Sequence, residues 1–258
     1  VNLLWKDYLR FAAEHSAAGA IRRLDGVEAA WVNSLMPFTN AEYLTSPVAD
    51  EADLRRRLRT AVEDAKPHGL PWALFLYEPF VESVDTERAA GGFGLVKVMG
   101  VEVMTADIRG LAAPARELPE MEYRRVASLE DAKTALDINM HSYGLPEEMG
   151  ASALAADAFY GDARREFGYL GLVDGVPVST AAVIEIGGWL YVALVATEPE
   201  RRQKGYAEAV MRHALAESAR ELGITRTSLD ATAMGAPVYS RMGYARTGER
   251  WTMYAQPH

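Results

Sequence analysis

Two short turns constrain this chain most. Asp174-Gly175 and Gly187-Gly188 separate three apolar runs, Phe167 to Val173, Val176 to Ile186 and Trp189 to Ala196. Pairs of this composition supply the positive φ angles that two-residue hairpins need, so the three runs are predicted to form an antiparallel meander. The period then changes. Val210, Met211, Ala214, Leu215 and Leu222 recur at helical spacing in a helix beginning near Gly205, and Gly223 stands where a C-terminal cap belongs. Upstream, Tyr123 to Val126 reads as a strand, and Ser128-Leu129-Glu130-Asp131 opens a helix that runs towards His141 and breaks at Tyr143-Gly144-Leu145-Pro146. A shorter helix is expected from Glu147 to Phe159. Downstream come a strand from Thr227 to Ala231, a short helix from Ala236 to Met242 ended by Gly243, and extended chain from Tyr244 to Tyr254.

The first half is mixed as well. Helical spacing appears at Leu4, Tyr8, Phe11, Ala12 and His15, and again at Leu54, Leu58, Ala61, Val62 and Ala65 behind Asp50 as N-cap. Ala29 to Leu35, Trp72 to Tyr77 and Val96 to Met104 read as strands. The stretch from Asp107 to Glu120, interrupted by Gly110, Pro114 and Pro119, is the most linker-like, and divides the chain into expected domains at 1–113 and 121–258. At 258 residues with 49% hydrophobic content, each part can bury a core. No apolar run approaches the roughly 20 residues needed to cross a bilayer, and the start lacks a signal-peptide layout, so the expectation is a cytoplasmic protein without membrane contact. With no cysteine, a thioester on the chain itself is excluded and direct transfer within a ternary complex is favoured for any acyl chemistry. A formal charge of -9 argues against a nucleic-acid partner and reads first as ordinary solubility.

The segment with the clearest chemistry is Val195-Ala196-Thr197-Glu198-Pro199-Glu200-Arg201-Arg202-Gln203-Lys204-Gly205-Tyr206-Ala207, a strand passing through a turn into a helix. Gly205 lets the backbone approach a ligand closely, and the unpaired amides of a first helical turn favour an anion. Arg202 and Lys204 add positive charge. Neither a Gly-x-x-x-x-Gly-Lys-Ser/Thr loop nor a Gly-x-Gly-x-x-Gly fingerprint is present, and Gly91-Gly92-Phe93-Gly94 lacks the strand-to-helix context such loops require.

The spacing Arg202-x-x-Gly205-x-Ala207 after a strand ending Val-Ala-Thr resembles the acetyl-CoA signature of the GNAT superfamily of N-acetyltransferases. A second segment agrees with it: Leu229 to Tyr244 resembles the family's later motif, in which a tyrosine, here Tyr239, precedes Gly-Tyr by four residues. The resemblance covers about half the chain. It implies an α/β (α+β) GNAT fold, with a mixed, mostly antiparallel sheet flanked by helices, acetyl-CoA as cosubstrate, no metal, and an amine on a small molecule or peptide as acceptor. It further implies that amides near Val195, Ala196 and Thr197 meet the pantetheine arm, and that Arg202, Gln203, Lys204, Gly205, Tyr206 and Ala207 hold the pyrophosphate. A strand amide, that of Val195, would polarise the thioester carbonyl while Tyr239 protonates the departing thiolate.

An alkylammonium must lose a proton before it attacks. The position at which several relatives carry a glutamate falls on Tyr191, which becomes an expected substrate contact, and Glu185 on the preceding strand is the expected base, acting through water. His141 and Tyr143 are further expected acceptor contacts, whereas His213 is expected to face solvent. The first half resembles the later part of the same fold, but between Pro37 and Asp50 it has neither glycine nor basic residue. It is therefore expected to be a degenerate GNAT-like domain that shapes the acceptor cleft. A sensor that binds acyl-CoA without catalysis is the alternative, and the assembly is left open between monomer and homodimer.

Overall fold

The computed structural model describes residues 3–257 apart from 116, 161 and 163, so the outermost residues of both expected domains lie outside the described residues. The first half runs α1 (Leu4–His15), β1 (Ala20–Arg23), β2 (Val27–Trp31), β3 (Asn40–Leu44), α2 (Glu51–Ala65), β4 (Ala73–Tyr77), α3 (Thr86–Gly91) and β5 (Val96–Asp107). The second runs β6 (Glu122–Arg125), α4 (Leu129–Tyr143), α5 (Glu147–Ala155), β7 (Glu166–Val173), β8 (Val176–Ile186), β9 (Trp189–Thr197), α6 (Tyr206–Leu222), β10 (Arg226–Thr232), α7 (Ala236–Met242) and β11 (Ala245–Ala255). All strands join one 11-stranded sheet in the order β1-β2-β3-β4-β11-β5-β10-β9-β8-β7-β6. Among the described residues only β3 with β4 and β9 with β10 pair in parallel; the other neighbours are antiparallel, including the expected meander β7-β8-β9.

The order shows an exchange between the halves. β5 leaves the first half and lies between β11 and β10, while β11 lies between β4 and β5. Each half therefore completes its sheet with a strand of the other, and their cores are continuous. On one face, Trp5, Ala12 and Ala13 of α1 pack with Leu136 and Met140 of α4, Ala153 of α5, and Val101, Val103, Trp251 and Met253 of the exchanged strands. The other face carries α2, through Leu54, Leu58 and Ala61 against Leu74 and Leu76, and α6, through Val210, Met211 and Ala214 against Val192 and Leu229. α1 also reaches across to the second half, where Leu4 and Phe11 meet Ile184 and Tyr191.

Three local expectations change. The extended segment from Ala29 stops at Trp31, because Asn33 turns the chain at φ 65° and its amide is held by Asn40 Oδ1 at 2.9 Å. The next strand, β3, was hidden by its composition, since Asn40 and Glu42 are wholly buried in it. α5 ends at Ala155, short of Phe159, and Asp157 and Tyr160 follow with φ of 56° and 61°.

Candidate functional site

The two parallel strands of the second half part company after a short shared register. β10 pairs with β9 only through Leu190, Tyr191 and Val192, and no registered partner on β10 faces residues 193–197 among the described residues. The divergence has a local cause. Between the pairs Ala182 with Ala193 and Thr180 with Ala196, β9 carries one residue more than β8, and Leu194 takes up the excess at φ 52°. Such a bulge bends its strand and re-aims the chain beyond it. Val195, Ala196 and Thr197 thus lie on the edge that turns away from β10.

The same strand leads into the glycine-started helix. Glu198 is followed by a 3-10 turn over Pro199–Arg201, Gln203 is left-handed at φ 63°, and Gly205 at φ 90° is the N-cap of α6. Gly205 supplies no side-chain cap, so the positive end of the helix dipole points at the loop. Arg201, Arg202, Gln203 and Lys204 are exposed, while Tyr206 turns inward. Arg202 ties the loop to the end of α4, donating to the Ser142 carbonyl and, at 3.0 Å, to its hydroxyl.

His141 braces the same junction. Its Nδ1 lies 3.1 Å from Glu198 and its Nε2 lies 2.9 Å from Glu147 of α5. Glu147 first and Glu198 second raise its pKa above the ordinary histidine value. His141 therefore serves as a link between α4, α5 and the loop. His213, expected at the solvent, is instead stacked on Tyr123 with centroids 4.1 Å apart and edge-on to Tyr169, and burial lowers its pKa.

Tyr239 stands on α7 with its ring against Gly235, where an added Cβ would come within 2.9 Å of Cε2. Burial raises its pKa well above the usual phenol value, and the nearby Tyr143 adds to the effect. It is a neutral hydroxyl, able to donate, facing Tyr143 at the end of α4. Glu185 lies at the end of β8 away from the bulge, accepting from Arg165 Nε at 3.2 Å and from the Gly188 amide at 2.9 Å. These contacts hold it in the β8–β9 hairpin.

Another carboxylate, which sequence reasoning passed over, is hydrogen-bonded to Tyr191. Asp230 of β10 accepts a short hydrogen bond from the Tyr191 hydroxyl. Burial raises its pKa to about 6, with Tyr191 and the approaching Trp251 indole opposing that rise. The signal was an acid alternating with Leu229 and Ala231: these two join the core under α6, which turns Asp230 to the opposite face.

Tyr191 and Trp251 also line a cavity of about 510 Å³ between the halves. α1 contributes Trp5, Tyr8 and Leu9; the second half contributes Asn139, Tyr143 and the bulge residue Leu194. Thus the structure brings Tyr143, Tyr191 and the bulge to one space, and Tyr239 beside Tyr143, while Glu185 and His141 are absent from its lining.

A mostly antiparallel sheet parted at a bulge, beside an uncapped glycine-started helix, is the architecture of the GNAT fold. Residues 132–244 match the family model described as Acetyltransferase (GNAT) family. Solved structures extend the likeness across both halves. A GCN5-related N-acetyltransferase from Kribbella flavida is 21% identical, with 97% of this chain and 96% of that chain covered at a TM-score of 0.69. A GCN5-related N-acetyltransferase-like protein from Streptococcus suis is 15% identical over 97% and 94% of the two chains, with a TM-score of 0.60. A tandem GNAT protein from the clavulanic acid biosynthesis pathway is 13% identical over 97% and 93%, with a TM-score of 0.56. At these identities the structures speak for the fold alone. No curated protein gives a significant match to the chain.

Proposed function

We propose that this protein transfers the acetyl group of acetyl-CoA to a primary amine by direct attack in a ternary complex. The uncapped N-terminus of α6, begun by left-handed Gly205 next to the bulged edge of β9, carries the reading. It suits a pyrophosphate held by backbone amides, with Lys204 and Arg202 supplying charge, and a pantetheine arm running along Val195, Ala196 and Thr197. No group of three or more potential metal ligands occurs among the described residues, and the scheme requires no metal.

In this scheme the Tyr191 hydroxyl receives the amine's proton as it passes its own to Asp230, leaving the nitrogen lone pair free to attack the thioester carbon. The Val195 amide stabilises the oxyanion. When the C–S bond breaks, Tyr239 gives its proton to the thiolate sulfur, the nitrogen loses its second proton to solvent from which Tyr239 is reprotonated, and Asp230 returns its proton to solvent. Asp230 suits the base role because a pKa of about 6 leaves it ionised at neutral pH yet more basic than an exposed aspartate.

Acetyl-CoA at about 100 times its Kd should add about 2.7 kcal/mol of stability, or on the order of 5–10 °C in Tm for a chain of this size. Absence of a thermal shift with any acyl-CoA would sink the proposal. Tyr239→Phe should lower kcat about 100-fold with little change in acetyl-CoA affinity. Binding without acceleration of transfer to any amine would instead favour the acyl-CoA sensor.

A further inference from the structure

We infer that the cavity between the halves binds the acceptor as a primary amine on an aromatic or similarly flat apolar body that carries no second charge. This rests on the acetyl-transfer reading and names its substrate class. Among the described residues, no Asp, Glu, Lys, Arg or His lines the cavity. A diamine, a lysine side chain in a basic peptide or an aminosugar would bring in further charge that the walls cannot pair, and unpaired burial of charge is strongly unfavourable.

The walls favour a ring instead. Trp5, Phe75 and Trp251 form a cluster with centroids 5.0 to 5.8 Å apart, and the lining adds Phe38 and five methionines. Aromatic faces and edges offer ring-to-ring contacts, while methionine side chains adjust to the outline of an apolar guest. At about 510 Å³, the space falls within the range of small-molecule sites.

One feature distinguishes an acceptor from a long acyl chain in this space. The cavity carries a proton acceptor, Tyr191 backed by Asp230, which an amine needs and a hydrocarbon chain does not.

The experiment measures CoA release by the full chain from acetyl-CoA, with acetyl-CoA binding followed separately by calorimetry. Phenylethylamine, 4-methoxyphenylethylamine and tryptamine are compared with putrescine, spermidine and lysine amide, and octanoyl-CoA is tried as a second donor. The arylalkylamines should show at least a tenfold higher kcat/KM, and they should quench tryptophan fluorescence through Trp5 and Trp251. Val98 lines the cavity and is 52% exposed, so Val98→Asp should fold normally. It should narrow the preference over putrescine about tenfold while leaving acetyl-CoA binding unchanged.

Acetyl-CoA binding with faster turnover of the polyamines overturns this inference and spares the acetyl-transfer reading. Preference for octanoyl-CoA without discrimination among the amines overturns it too, assigning the cavity to the acyl chain. Binding with no transfer to any amine overturns it in favour of the sensor, and failure of acetyl-CoA to bind removes the underlying reading itself.

Discussion

The two halves place a strand, a loop and a helix at corresponding points of the sheet, yet they treat the helix N-terminus in opposite ways. After β9, the helix begins at Gly205 without a side-chain cap, flanked by Arg202 and Lys204. After β3, α2 begins with a reciprocal cap: Asp50 Oδ1 accepts from the Asp53 amide at 2.8 Å, and Asp53 Oδ2 accepts from the Ala49 amide at 3.1 Å. Glu51 and Asp53 add negative charge to that first turn. Arg57 fills the loop from within, donating to the Ser46 carbonyl at 2.9 Å and the Pro47 carbonyl at 3.1 Å. The strands differ likewise. β3 keeps one regular register with β2 and pairs with β4 through Tyr43, one residue from its end, whereas β9 bulges and leaves five residues beyond its pairing with β10. An anion would meet open amides in one half and occupied amides backed by carboxylates in the other. The first half thus repeats the strand-loop-helix order but caps the helix start with carboxylates.

The most direct way to break this contrast is to give α6 the cap that α2 already has. Gly205→Asp places a carboxylate at the helix start, where it competes for the amides and repels phosphate, and the left-handed φ of 90° adds strain for any side chain. Acetyl-CoA affinity should fall about 100-fold, about 2.7 kcal/mol, as read by calorimetry. Retention of wild-type affinity would mean that the helix N-terminus is not the pyrophosphate site.

A second prediction concerns the exchanged sheet. Asp230 on β10 has its pKa raised to about 6; below that pH it is protonated and cannot accept, so kcat/KM should rise as pH increases through about 6. Asp230→Asn should reduce kcat/KM at pH 7.5 by about 10- to 100-fold and abolish that inflection, with acetyl-CoA binding preserved. An unchanged inflection in the variant would move the base elsewhere, and Glu185 would be the next residue to substitute.

Legibility in the sequence followed the range of the interactions. The meander was readable because Asp174-Gly175 and Gly187-Gly188 act over two residues, and α7 because Gly243 ends it at φ 102°. The helix start at Gly205 was readable for the same reason, at φ 90°. β3 was not, since Glu42 within it reads as a surface residue; in the fold it is wholly buried, accepts from the Trp31 indole at 3.0 Å and has its pKa raised to about 9, chiefly by burial. The crossing of β5 and β11 was equally hidden, because pairs such as Val101 with Trp251 join residues with no local signature in common. Asp230 and the cavity depend on that crossing. One of 36 acidic residues becomes distinctive only when β9 supplies Tyr191 and β11 supplies Trp251, and the aromatic wall exists only where α1 meets the second half.

The smallest test probes the closed side. If the cap on α2 is structural alone, Asp50→Ala should cost stability without touching cofactor binding. Loss of the bond to the Asp53 amide removes about 1 kcal/mol, lowering Tm by about 2–4 °C for a chain of this size. Asp53 limits the damage, because Arg57 first and the Ala49 amide next depress its pKa and keep its carboxylate at the helix start. That residual charge still repels phosphate, so uncapping alone should create no second acetyl-CoA site, and calorimetry should give the same stoichiometry as for the wild type. A second binding event in Asp50→Ala would show that one side chain separates the closed half from the open one, and that the acidic first turn and Arg57 contribute little to the closure.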